Sequence, residues 1–221
     1  MSQRILIWDI PTRVFHWALA LSFAAAFLTA ETERYRDLHI ALGYLMLGLI
    51  AFRLIWGFAG TRYAQFTSFI FSPNEIIGYT KSLLQRSPKH YLGHNPAGAL
   101  AIFLLIGLTL LTAVSGALLY FEVGGEMFEE VHEGAANVML AVVFIHIAGV
   151  IVSSFLHREN LPRAMMTGYK SGEPSQGIAR SFAWLGVIMS AVIAAFLTFY
   201  QPSAAGPESG GGSKSSMQDK D

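Results

Sequence analysis

The sequence predicts an all-α, polytopic membrane bundle: a four-helix core followed by a fifth, C-terminal transmembrane helix. Three observations carry this. The 221 residues are 53% hydrophobic and only 14% charged, too few charges for an ordinary soluble domain. The apolar residues gather in five long blocks, each near the ~20 residues that take a helix across a hydrocarbon core about 30 Å thick. The short alternating segments of a membrane barrel are missing, whereas a helix satisfies its own backbone N–H and C=O groups where lipid offers no partner.

The first block, 14–30, is broken early by His16. Trp8, Asp9 and Pro11 ahead of it are out of character for a cleaved leader, so this span is expected to be retained. The second block, 38–60, has His39 next to its start and encloses Arg53. The third, 97–121, has no charge, and its helix is expected to begin near Asn95 or Pro96. The fourth, 132–156, runs from His132 through His146, and the fifth is 181–200. Residues 1–175 thus read as one membrane domain and 176–200 as an added transmembrane helix. The Gly/Ser/Pro-rich stretch 201–221 reads as a disordered polar tail.

Charge orients the spans. Arg4 and Arg13, then Arg62, Lys81, Arg86 and Lys89, then Arg158, Arg163, Lys170 and Arg180 fall on one side if every block crosses. Opposite them, 31–37 is mixed, and 122–133 is acidic with no Lys or Arg. Basic loops stay in the cytoplasm, so the N-terminus is expected there and the C-terminus in the periplasm of a bacterial inner membrane. Membrane lipid is the surrounding partner, and no nucleic acid is expected at a net charge of +0.

The chain has no cysteine, which excludes disulfides, thiolate metal sites, iron–sulfur clusters and covalently attached c-type haem. It has seven histidines. Ionisable residues inside spans are costly and are functional by default. His132 and His146 are fourteen residues apart, a rise of roughly 21 Å. In a left-handed bundle, where the pattern period is 3.5, fourteen residues return a side chain to the same face. The two therefore lie on one stripe at opposite leaflets. Chain direction supplies a partner at each depth: His39, opening the second span, for His132, and His16, opening the first, for His146. Arg53 lies fourteen residues after His39, on the same stripe. His90, His94 and His157 are expected in loop or interface positions.

Two imidazoles from different helices in an apolar slot suit haem b, whose iron takes two axial ligands. Zinc usually asks for four ligands in one cluster, and the split between leaflets disfavours it. Copper and a histidine proton relay are the other readings. A haem propionate would answer the charge of Arg53. Snorkelling to the interface is the alternative for that arginine.

The stretches WDIPTRVFHW, DLHIALGY, RLIWGFAGTRYAQF, GHNPAGAL, EEVHEGAANVML, FIHIAGV and HRENLPRAMMTGYK occur in that order. Over about Ile5 to Lys170 the sequence resembles the bacterial cytochrome b561 superfamily, on the branch of cytochrome b subunits that accompany nickel–iron hydrogenases. The resemblance implies a four-helix, haem-binding core with two haem b groups. It also implies axial ligands at the positions of His16, His39, His132 and His146. Two features depart from the hydrogenase subunits: a very short first connection, 31–37, and the fifth span with its tail. The expected function is transmembrane electron transfer between the quinone pool and a periplasmic redox protein, either a c-type cytochrome or a hydrogenase-like complex. The acidic segment with Glu122, Glu126, Glu129, Glu130 and Glu133 would steer a basic partner. The alternatives are a membrane oxidoreductase acting on quinone, ferric iron or superoxide at a haem edge, and a haem-free, histidine-based transporter.

Overall fold

A computed structural model describes residues 3–85 and 89–200; the tail expected at 201–221 lies outside the described residues. In chain order the elements are β1 (Gln3–Leu6), α1 (Ile10–Thr29), α2 (Arg36–Ala59), α3 (Pro73–Leu84), α4 (Pro96–Tyr120), α5 (Glu126–His157), α6 (Leu161–Thr167), β2 (Tyr169–Gly172) and α7 (Ala183–Phe199). The fold is a helical membrane bundle. Helices α1, α2, α4 and α5 are each long and apolar enough to cross a membrane. α5 has 32 residues, a length of about 48 Å, and so outruns the hydrocarbon core. α7 has 17 residues, a length of about 26 Å, somewhat short of that core.

The caps follow from the sequence. Asp9 caps α1 by accepting the Thr12 N–H at 2.7 Å, with Pro11 in the first turn, where a missing N–H costs nothing. Asn95 caps α4 by accepting the Gly98 N–H at 2.8 Å, the boundary expected from the sequence. Ser72 and Glu75 form a reciprocal capping box at α3. Sequence periodicity missed α3, an amphipathic helix of 12 residues inside the long basic connection, because its apolar positions are too few to read as a span.

A two-stranded antiparallel sheet is added to the expected all-α bundle. β1 pairs with β2, Gln3 opposite Gly172 and Leu6 opposite Tyr169. Strands this short carry no readable alternation, so only the closed structure reveals them. The sheet marks one end of the bundle, here called the sheet end. Several contacts gather there. The Ile10 N–H donates to the Ser181 carbonyl at 2.9 Å, which brings the start of α7 to the start of α1. The Asp9 carboxylate also accepts Trp56 Nε1–H at 3.2 Å and the Thr61 hydroxyl at 2.5 Å, which fastens the end of α2 to the start of α1. Buried Lys170 pairs with Glu159 at 2.8 Å and donates to the Tyr91 carbonyl at 3.2 Å, which holds the segment before α4 against β2. The other end, with the α1–α2 and α4–α5 turns, is the hairpin end.

Packing is selective. α1 lies along α2, α2 along α4 and α4 along α5, with α7 against α1. Gly186 of α7 allows the close approach to α1, since a Cβ there would stand 2.2 Å from Ile10 Cγ2. Neither α1 nor α2 packs extensively on α5. Large apolar side chains such as Ile145 and Phe155 face outward, as a lipid-solvated surface requires.

Asp9 is wholly buried and is engaged by three donors on two elements. Asp9→Ala leaves those donors unpaired and is expected to cost about 2 kcal/mol or more, read as a lower midpoint of thermal unfolding in detergent.

Candidate functional site

Three stripes of side chains face the space between α1, α2 and α5. Each is spaced by sevens. α1 carries His16 and Phe23, α2 carries His39, Met46 and Arg53, and α5 carries His132, Met139 and His146. The middle members, Phe23, Met46 and Met139, are buried together in one apolar cluster. A seven-residue repeat stays on one face when neighbouring helices coil left-handedly. The apolar cluster therefore divides the space into two polar levels.

At the hairpin end, the rings of His39 and His132 lie with centroids 6.0 Å apart and planes at 69°. His39 Nδ1 stands 2.9 Å from the Ala26 carbonyl of α1, and His132 Nδ1 stands 2.9 Å from the Thr112 carbonyl of α4. A carbonyl only accepts, so both Nδ1 atoms carry the proton and donate it. Both Nε2 lone pairs are then free for a metal, the arrangement in which a second hydrogen bond fixes the tautomer of a ligating histidine. Gly116 of α4 makes room for this: a Cβ there would stand 2.8 Å from His132 Cε1.

At the sheet end, His16 and His146 are not in ring contact but lie close enough for their charges to interact. His16 Nδ1 is enclosed and has no hydrogen-bond partner among the described residues. Arg53 is only 3% exposed, and its Nη1 is likewise without a partner. Its guanidinium lies over Phe66, 4.7 Å from the ring centroid, and 5.9 Å from that of Phe69. The only ion pairs among the described residues are those of Glu159, so no carboxylate within 4.0 Å answers Arg53. Asp9 is near enough to act on it electrostatically, but it is already committed to Thr12, Trp56 and Thr61.

The sequence placed His94 in a loop, and the structure brings it to this level. Its ring centroid lies 4.6 Å from that of Trp8 and 4.5 Å from that of Phe69, and its Nδ1 is enclosed without a partner. Burial pushes its pKa down to about 3, and the nearby charges of Arg53, His146, His16 and Lys170 push the same way. The imidazole is therefore neutral at ordinary pH. The GHNP stretch was the only sequence signal for it, and spacing along one helix could not reveal a contact made by a loop. His90 and His157 do stay at the cytoplasm-expected surface, with rings 5.4 Å apart.

At the hairpin end the donor set fits one flat group between two imidazoles better than a compact metal cluster. Among the described residues no three His, Cys, Asp or Glu side chains converge as a metal site. Two imidazoles on opposite sides of one metal ion, with metal–nitrogen bonds near 2 Å, place their ring centroids about 6 Å apart. The separation of His39 and His132 agrees. A planar macrocycle also needs helices that flank it without packing on each other, which is how α1 and α2 stand to α5.

Residues 7–168 match the family described as prokaryotic cytochrome b561. The chain belongs to that family. It is similar to proteins named probable Ni/Fe-hydrogenase B-type cytochrome subunit. The one from Rhizobium leguminosarum bv. viciae is 26% identical over 75% of this chain and 88% of the relative. The one from Rhodobacter capsulatus is 22% identical over 76% and 81%, and the one from Azotobacter vinelandii 28% over 53% and 60%. No solved structure matches the chain. These likenesses support the hydrogenase-type branch of the family. This cytochrome is accordingly a multi-pass membrane protein of electron transfer, and its cofactor is haem b.

Gly116→Ala forces His132 or α4 to shift. We expect it to lower haem content, measured by pyridine haemochrome against protein concentration.

Proposed function

We propose that this cytochrome links a periplasmic redox protein to the quinone pool through two b haems, one at each polar level of the bundle. The observation that carries the reading is the fourteen-residue stripe of α5. It sets His132 opposite His39 at one end and His146 at the level of His16 at the other. Haem b, when bound, supplies a one-electron ferric/ferrous couple. The chain does the rest. His39 and His132 hold one iron through Nε2, with their rings fixed by the Ala26 and Thr112 carbonyls. His16 and His146 hold the other. Phe23, Met46 and Met139 keep water from the space between. Burial and the charges around each level tune the two potentials separately.

Orientation follows from the charges. The sheet end carries the basic loops and faces the cytoplasm, and the hairpin end faces the periplasm. Glu122, Glu126, Glu129, Glu130 and Glu133 are all exposed around the start of α5, within ten residues of His132 in the chain. That acidic surface suits a basic partner, such as a c-type cytochrome or a basic face of a hydrogenase-like complex. α7 adds a fifth membrane-embedded helix on the α1 side, and its position against α1 leaves the α5 side clear.

Purified protein is expected to hold b-type haem at about two per chain, measured by pyridine haemochrome against protein concentration. His132→Ala and His146→Ala are each expected to reduce the ratio to about one, and the double variant to abolish it. Full haem in both single variants would sink the ligand assignment. Charge reversal of Glu129 and Glu130 to Lys is expected to slow reduction by a basic c-type cytochrome roughly tenfold at low salt, the difference shrinking as ionic strength rises.

A further inference from the structure

Besides Arg13 Nε and His16 Nδ1, two enclosed nitrogens at the sheet end have no hydrogen-bond partner among the described residues: His94 Nδ1 and Arg53 Nη1. Leaving a buried donor unpaired is costly, and a buried cation without a counter-ion more so. The two side chains come from different parts of the chain and meet on one ring. Arg53 reaches Phe69 from α2 at 5.9 Å, and His94 reaches it from the segment before α4 at 4.5 Å. Both lie at the level of His16 and His146, whose charges act on His94. The hairpin end has nothing comparable. Both imidazoles there are fixed by backbone carbonyls, and the charge acting on His132 besides that of His39 is Glu133.

One anion serves both when the His94 proton sits on Nδ1, accepting from that N–H and from Arg53 Nη1, and among Trp8, Phe66 and Phe69 it arrives on an apolar body. Asp9 is saturated by its three donors, and no other carboxylate of the described residues reaches Arg53. Resting on the haem assignment made above, we propose that His94 and Arg53 form a carboxylate clamp for a propionate of the haem held by His16 and His146. Arg53 contributes the charge and His94 a neutral N–H. The loop bearing His94 is thereby a part of the cofactor site. Lys170 serves it indirectly, by holding the Tyr91 carbonyl three residues before His94. The clamp also makes the two levels unequal. A compensated propionate favours the reduced haem, so the clamp raises the midpoint potential of the sheet-end haem above its value without the clamp.

The test uses the full-length, haem-loaded protein in detergent and reads redox potentials by spectroelectrochemistry. His94→Phe keeps a ring between Trp8 and Phe69 and removes the donor. The expected result is two haems per chain, with one midpoint lowered and the other unmoved. The reduced-to-oxidised ratio of the affected haem at fixed applied potential falls about tenfold, equivalent to about 59 mV for a one-electron couple. The affected component is the one that His146→Ala removes. His94→Gln, which restores a donor, returns the midpoint toward the native value, and Arg53→Gln lowers the same component further. Two unchanged midpoints in His94→Phe, or a shift confined to the component lost in His132→Ala, would overturn the clamp while leaving the two-haem reading intact. If His94→Phe sheds the sheet-end haem and His94→Gln does not recover it, the clamp also falls. A native protein without b-type haem, or with both haems retained in His146→Ala, would instead remove the reading on which the clamp rests.

Discussion

A polar group inside an apolar bundle has to meet its partner at its own depth, because nothing else in the hydrocarbon will take its place. That constraint organises this cytochrome. His16, His39, His132 and His146, Arg53 and Asp9, the one wholly buried carboxylate among the described residues, are gathered into two levels, and the helices are spaced to serve them. Between the levels the stripes turn apolar at Phe23, Met46 and Met139, each seven residues from a histidine. The same register that lets helices coil around one another also spaces the polar levels along them.

The two ends are built differently. At the hairpin end the histidines are oriented by main-chain carbonyls, a device that costs no charge and leaves one nitrogen free on each ring. At the sheet end the binding groups are charged or enclosed, and a second shell of loops and strands is assembled around them. Asp9, Trp56 and Thr61 bind the helix ends together, while Lys170 and Glu159 hold the neighbouring connection. The small β1–β2 sheet belongs to this construction: it ties the N-terminus to the segment after α6, so that Trp8 is held beside His94. The bundle thus has an open end, with an acidic surface, and a braced end.

Much of this was legible in the sequence. Block length and scarcity of charge settle the membrane bundle, and the boundaries of α1, α2 and α4 fall within a few residues of those expected because Pro, Asn and Gly mark them locally. Helical direction places His39 and His132 at one depth, and their ring centroids lie 6.0 Å apart; an iron shared between them belongs to the proposal. His94 was not readable. Its role depends on a loop folding back onto Trp8 and Phe69, and no periodicity reports such a contact. α3 and the two strands were missed for a related reason: they are too short or too weakly patterned for their own sequence to announce them.

The sequence by itself determined the solvent, the bundle of membrane helices and the chemistry available to them. It did so because lipid imposes a length and an apolarity on every span, and because a cysteine-free chain rich in histidine has few ways to hold a cofactor. Tertiary structure decided which nitrogens are free. Only the packed helices show that carbonyls occupy Nδ1 of His39 and His132, that Asp9 is taken up by the ends of α1 and α2, and that Arg53 and His94 pack on the same ring, Phe69. Those facts depend on distances between elements far apart in the chain, and spacing along a single helix carries no information about them.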